Sequence, residues 1–316
     1  MPDRSTRPLP RRRRPLAALA GALVLVVVAL NWTWGRLPDE PPRTGSVVDL
    51  DGTTVRYVER PGRGTPVVLL HGLPGTAEDF AAVTRRLVGR RTIAIDRPGY
   101  GFSSEGYVPL ARQADLVHRL LRRRGIARAV VVGHSYGGTL ALALAERHPT
   151  DVAGLVLADA AAAGFRLGTF ERARGRFVGL LNAPVVRTLA DATFAQALLR
   201  LAAGSGDDRA FAPAPADPAH RRRLLALTMT PGDLAAMSGE TGALNEEVGR
   251  IDRGLAAIRR PAVVVQADRD GLVAARHGRR LAAALPHARL VLVRGGHMTP
   301  YTHPRVIAGA VAGLLR

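Results

Sequence analysis

The sequence predicts an α/β fold, a mostly parallel, doubly wound sheet of about eight strands with helices on both faces. Three observations predict it. From Pro66 onward, short apolar runs alternate with segments of helical spacing. The runs Val67–Leu70 and Val130–Val132 are apolar without interruption, as strands are when helices cover both sides of a sheet. The second run stops at Gly133, turns around a single serine and restarts at once as a helix.

The amino terminus comes first. No residue between Arg14 and Arg36 is charged. An apolar helix of about 20 residues spans the hydrocarbon core of a bilayer. Residues 15–35 are therefore expected to form a transmembrane anchor. Arg4, Arg7 and Arg11–Arg14, in a basic tail over residues 1–14, would stay in the cytoplasm, with Trp32 and Trp34 at the far interface. The rival is a cleaved signal segment, which would make the protein secreted. No A-x-A pattern closely follows the apolar run, which favours retention. Both readings place the rest of the chain on the extracytoplasmic side. Residues 36–45, rich in proline and charge, read as a linker, and 46–316 as the globular domain.

Within the domain, "SVVDLDGTTVRYVERPGRG" gives two short strands turning at Asp51-Gly52. "TPVVLLHGLPG" is a strand entering a glycine-rich loop, and "EDFAAVTRRLVG" a helix with Phe80, Val83, Leu87 and Val88 on one side. "RTIAIDRPGYG" is a strand and turn, and "LARQADLVHRLLRRRG" a helix ended by Gly125. "ARAVVVG", a helix to His148, and the strand "DVAGLVLADAA" follow. Strand–helix alternation returns late, in "RPAVVVQADRD", "RHGRRLAAALP", "ARLVLVRGGH" and "PRVIAGAVAGLLR". From about Ala161 to Gly254 no strand pattern is found. "TFERARGRFVGLL" and "VVRTLADATFAQALLRLA" read as helices, "GSGDDRAFAPAPADP" as a loop, and the whole as a helical insertion above the sheet.

Composition removes several functions. All 45 basic residues are arginine, and the net charge of +19 is scattered over every segment. With no aromatic platform beside it, this charge does not mark a nucleic-acid partner. No lysine is present, so lysine-dependent phosphate-loop chemistry is excluded, and no cysteine leaves no disulfide or thiolate. No H-x-x-x-H or carboxylate cluster calls for a metal, and no cofactor is implied.

Gly133-His134-Ser135-Tyr136-Gly137 fits G-x-S-x-G in a strand–turn–helix context. Such a turn exposes the serine oxygen above the sheet, over unpaired N–H groups of the helix start. A serine needs a base, and the base an orienting acid. The late strands end in Asp268 and Asp270, then in His297, and Ser–Asp–His is the order this architecture uses.

From about Ser46 to Arg316 the chain resembles the α/β-hydrolase family. His71-Gly72-Leu73-Pro74-Gly75, Asp96-Arg97-Pro98-Gly99-Tyr100-Gly101, Gly133–Gly138 and Gly295-Gly296-His297 carry the resemblance. It implies Ser135 as nucleophile, His297 as base and a helical cap after the sixth strand. Asp270 best fits the acid's spacing, with Ala267 where relatives have glycine; Asp268 and Asp159 stay as alternatives. Leu73 and Tyr136 would give the backbone N–H groups of an oxyanion hole. His71 would fix its loop by hydrogen bonding, and the DRPGYG loop would be structural. The remaining histidines read as surface or structural.

The resemblance implies a serine esterase or lipase-like enzyme. A serine nucleophile argues against dehalogenase and epoxide hydrolase branches. Cofactor-free haloperoxidase-like or lyase chemistry, or ligand binding without turnover, are its alternatives. Phe170, Phe177, Leu180, Leu181, Phe194, Leu198 and Met229 in the cap point to a small apolar acyl-ester substrate. Activity should fall near or below pH of about 6.5, as His297 takes up a proton.

Overall fold

The computed structural model describes residues 14–34, 36–181, 183, 188 and 193–316. The basic residues Arg4, Arg7 and Arg11–Arg13 lie outside them, as does most of the segment 182–192. The strands are β1 (Ser46–Leu50), β2 (Thr53–Arg60), β3 (Arg63–Leu70), β4 (Arg90–Ile95), β5 (Ala129–His134), β6 (Val152–Ala158), β7 (Ala262–Ala267) and β8 (Ala288–Val293). The helices are α1 (Arg14–Thr33), α2 (Ala81–Thr84), α3 (Leu110–Arg123), α4 (Tyr136–Arg147), α5 (Thr169–Leu181), α6 (Ala195–Phe211), α7 (Pro218–Leu227), α8 (Pro231–Gly254), α9 (Ala275–Ala284), α10 (Thr299–Thr302) and α11 (Pro304–Leu314).

The strands form one sheet in the order β1-β2-β4-β3-β5-β6-β7-β8. β2 is antiparallel to β1 and β4, and the pairs from β4 through β8 are parallel. Val67 to Leu70 and Val130 to Val132 are fully buried. Their side chains alternate between two cores. Val68, Leu70 and Val131 join the core on the α3 and α4 side, and Val67, Leu69, Val130 and Val132 the one under α11. A buried Val or Leu side chain stabilises by about 1.5–3 kcal/mol, so these strands anchor the sheet. Leu70 pairs with both Ile95 and Gly133, and His134 with Ala158. The chain therefore leaves β3, β4, β5 and β6 at one level, where ligands of such sheets bind.

Helices α5 to α8 lie between β6 and β7 and form the cap. Sharp local signals start two of them. Asp217 accepts from Ala219 N at 2.6 Å ahead of Pro218, and Thr230 and Asp233 form a reciprocal capping box around Pro231. Two expected elements differ. The helix over "EDFAAVTRRLVG" is only a 3-10 turn and one turn of α2, with Val88 exposed. Arg63 N bonds Gly89 O at 2.9 Å and draws the chain into β4 first. The loop expected from Gly204 begins instead at Ala212, because α6 runs on to Phe211. Asp207 and Asp208 hold Arg221 of α7 there, and Phe211 packs on Met298, contacts that outweigh two helical glycines.

Most of α1 exposes apolar side chains, Leu19 and Leu25 among them. Its last turn is tied to the cap. The buried Asn31 accepts from Ala197 N at 3.1 Å, and Arg200 donates to the carbonyls of Trp34 and Arg36. No helix among the described residues is long and apolar enough to cross a membrane. Of the apolar cap residues singled out, the side chains of Phe170 and Leu181 lie outside those described. Phe177, Leu180, Phe194 and Leu198 are exposed, and Met229 packs on Leu225 and Leu234 inside the cap.

A buried imidazole joins cap to core. His220 of α7 lies 3.0 Å from Asp207 Oδ1, off the line of a good hydrogen bond, and 3.6 Å from Asp79 Oδ1. Burial pushes it down, but the two carboxylates push harder and raise it to about 9. A raised pKa means that the stabilisation is complete below the unfolded value of about 6.5 and is lost as pH climbs through the folded one. The melting temperature should therefore fall between about pH 6.5 and 9, and His220→Gln should flatten that slope in thermal melts across this range.

Candidate active site

Ser135 stands alone between the end of β5 and the start of α4, at φ 53° and ψ −120°. Such a backbone costs on the order of 1–3 kcal/mol for a residue with a side chain. Its neighbours hold it there. Ser135 N donates to Ala158 O at 2.9 Å, and Ser135 O accepts from Gly138 N and Ala161 N at 2.9 and 3.1 Å. The flanking glycines allow close packing. A Cβ on Gly133 would lie 2.2 Å from Gly137 O, and one on Gly137 only 2.1 Å from Leu70 O.

The loop after β3 presses against this turn, since a Cβ on Gly72 would lie 3.1 Å from that of Ser135. Among the described residues, neither Leu73 N nor Tyr136 N donates to a protein acceptor. Tyr136 opens α4, where the first N–H groups have no helical partner. His71 braces the loop. Its Nδ1 donates to Gly72 O at 2.9 Å while Nε2 accepts from Arg97 N at 2.8 Å. Burial and the Arg97 charge hold its pKa well below the usual range, so it stays neutral.

His297 follows β8 and is buried, with Nδ1 2.7 Å from Asp270 Oδ2. The other oxygen of Asp270 accepts from Leu272 N and Val273 N, each at 2.8 Å. Burial alone would lower the imidazole and raise the carboxyl. Their mutual attraction and hydrogen bond win, so His297 is raised and Asp270 lowered. Ser135 Oγ makes no hydrogen bond among the described residues. Its neighbour ties the two segments together instead: His134 Nε2 donates to His297 O at 2.8 Å, with the rings 4.8 Å apart.

The other two acid candidates stand elsewhere. Asp268 is exposed and accepts from Gly295 N at 3.0 Å. Asp159 is buried behind the imidazole but accepts from Thr299 Oγ1 at 2.5 Å and Ala267 N at 2.8 Å. Burial raises it to about 7. Imidazole and carboxylate atoms converge within 4.8 Å in two clusters, His134/Asp159/His297 and His118/His148/Asp151. Both are knit by hydrogen bonds of their own, including His118 Nδ1 to Asp151 at 2.6 Å.

His134, read with the other structural histidines, carries the His297 carbonyl. Sequence reasoning missed three supporting residues. Gln266, beneath Asp159 and Asp270, and Thr299 have no motif to mark them. Arg97 had one signal, a charge inside a glycine-rich turn.

A serine on a tight strand–helix turn, tied through its neighbour His134 to a buried imidazole–carboxylate pair, with helices inserted after β6, matches a class of hydrolytic scaffold. Residues 65–304 match the family described as alpha/beta hydrolase fold, and the chain belongs to that family. It is similar to 2-hydroxymuconate semialdehyde hydrolase of Pseudomonas putida, 28% identical over 295 residues, 88% of this chain and 96% of that protein. It is also similar to Lipase 1 of Psychrobacter immobilis, 36% identical over 102 residues, 31% of this chain and 32% of that one. The chain thus matches about a third of that lipase's length. The crystal structure of a hydrolase from Pseudomonas aeruginosa PA01 aligns with a TM-score of 0.69 at 27% identity, over 85% of this chain and 97% of the other.

The turn is open to test. Gly137→Ala would push a methyl into two backbone carbonyls, which cannot swing aside as a side chain can. Overpacking of this kind costs about 1–3 kcal/mol. Urea unfolding should show a loss in that range or above it, whereas Gly21→Ala, with open space around it, should show none of this strain.

Proposed function

We propose that the protein is a serine hydrolase that cleaves a small apolar acyl ester through an acyl-enzyme. The observation that carries this is the hydrogen bond of 2.7 Å between His297 Nδ1 and Asp270, tied through His134 to the strained turn of Ser135. Ser135 Oγ attacks the acyl carbon while His297 Nε2 takes its proton. Asp270 fixes the tautomer and steadies the imidazolium. The N–H groups of Leu73 and Tyr136 receive the oxyanion, each worth about 3 kcal/mol in the transition state. The protonated imidazole then gives its proton to the leaving alcohol. A water activated by His297 attacks the acyl-enzyme and restores the serine. Every step uses side chains and backbone of this chain.

We also infer that α1 holds the enzyme at a membrane, with the domain on the extracytoplasmic side. The uncharged stretch between Arg14 and Arg36 and the exposure of Leu19 and Leu25, 69% and 71%, support this. Flotation of the full chain with phospholipid vesicles tests it; chain left at the bottom of the gradient would refute it.

Ser135→Ala should lower turnover of an aryl ester by at least about 1,000-fold and abolish labelling by a fluorophosphonate. Undiminished hydrolysis would refute the assignment. The pH profile carries a second test. The base must be neutral, and the charge of Asp270 favours its protonated form. Activity should therefore fall with acid through a midpoint above the ordinary histidine value of about 6.5, rather than near or below it as an unperturbed imidazole would. Asp270→Asn should lower both kcat and that midpoint.

A further inference from the structure

The loop Asp96–Gly101 does more than turn the chain. Arg97 is buried, and its guanidinium is shared between the catalytic loop and the cap. Nε donates to His71 O at 3.0 Å and Nη2 to Gly72 O at 2.8 Å. The Gly72 carbonyl and the Leu73 N–H belong to one planar peptide, so a bond that fixes the first fixes the direction of the second. The same guanidinium lies 4.6 Å from the ring centre of Tyr136. One cation thus holds the carbonyl of the peptide that carries the Leu73 N–H and also lies over the Tyr136 ring, the two residues proposed to bind the oxyanion.

Its countercharge comes from the other layer. Glu240 of α8 pairs with Arg97 through both oxygens, Oε2 lying 3.2 Å from Nη2. Tyr100 OH donates to Glu240 Oε2 at 2.9 Å and Gln113 Nε2 to Oε1 at 2.8 Å, so the carboxylate is held on all sides. Both charges are out of water and depend on each other. A guanidinium is rigid and forked, and can serve two carbonyls and a carboxylate at once.

We propose that Arg97 and Glu240 are a positioning pair through which the seated cap sets the orientation of the Leu73 peptide. This rests on the hydrolase reading above. With the cap down, Glu240 fixes the guanidinium, and the guanidinium fixes the Gly72–Leu73 peptide. With the cap lifted, the cation loses its partner and the oxyanion donor its brace. Cap closure and oxyanion binding are then one event.

The test compares the full chain with Glu240→Gln, Arg97→Lys and the apolar pair Arg97→Met/Glu240→Met. The readouts are kcat and KM for an aryl acetate, the rate of fluorophosphonate labelling at Ser135, and thermal melting. Glu240→Gln and Arg97→Lys should lower kcat and labelling by roughly tenfold to hundredfold, less than removal of a whole donor, with KM within about threefold. The apolar pair removes both buried charges and lets the cap pack. It should melt close to the wild type yet stay as slow as Glu240→Gln. Recovery of wild-type kcat and labelling in the apolar pair, or a change confined to KM in Glu240→Gln, would overturn the proposal. Failure of the hydrolase reading shows separately, as a wild-type chain that is neither labelled nor active.

Discussion

The carbonyls of Leu70 and His71 come so near the start of α4 that a Cβ on Gly137 would lie 2.1 and 2.5 Å from them. That approach places the end of β3 against the elbow of β5. It makes the loop carrying Leu73 and the turn carrying Ser135 neighbours, although more than 60 residues separate them. Sheet register does the rest. Leu70 opposite Gly133, and His134 opposite Ala158, bring the chain out at one level on three adjacent strands. The positive φ of Ser135 is affordable only because these contacts and its three backbone hydrogen bonds leave no other conformation.

A second scaffold, of charge, braces the loops above the sheet. Asp96 at the end of β4 accepts from Ala77 N, Phe102 N and Arg56, and Arg56 in turn holds Glu78. Burial pushes Asp96 up and Arg56 pulls it back, leaving it near 6. Next along the chain, Arg97 reaches toward the site. Adjacent residues thus carry opposite charges to opposite tasks: Asp96 gathers the segment after β3, and Arg97 ties that segment to the cap. Buried charges of this kind do little for net stability, and their value is in fixing one arrangement.

Much of this was legible in the chain. Continuous apolar runs marked the strands, because burial on both faces leaves no room for polar side chains. G-x-S-x-G marked the elbow, because the close approaches admit nothing larger than glycine. Periodicity failed where tertiary contact decided the outcome. The segment after Glu78 has helical spacing, yet the start of β4 cuts it short at Thr84. The segment from Gly204 has loop composition, yet Arg221 and Met298 hold it helical. Glu240 was illegible for a different reason. It is one acidic residue among several on α8, and only its partner 143 positions away distinguishes it.

Two carboxylates behind one imidazole pose an electrostatic problem that the backbone resolves. If Asp159 and Asp270 were both ionised in so buried a place, each would destabilise the other. Asp270 has two backbone N–H donors and the imidazole, and these favour its charge. Asp159 has a hydroxyl and one backbone N–H, the Gln266 amide being shared between the two carboxylates, and burial raises it to about 7 while Asp270 is lowered. The negative charge therefore settles on the carboxylate in line with Nδ1 of His297. Environments that drive two like groups apart in this way assign their roles. Three aspartates near the carboxyl ends of the strands were alike in the sequence, and the count of N–H groups aimed at each is what separates them.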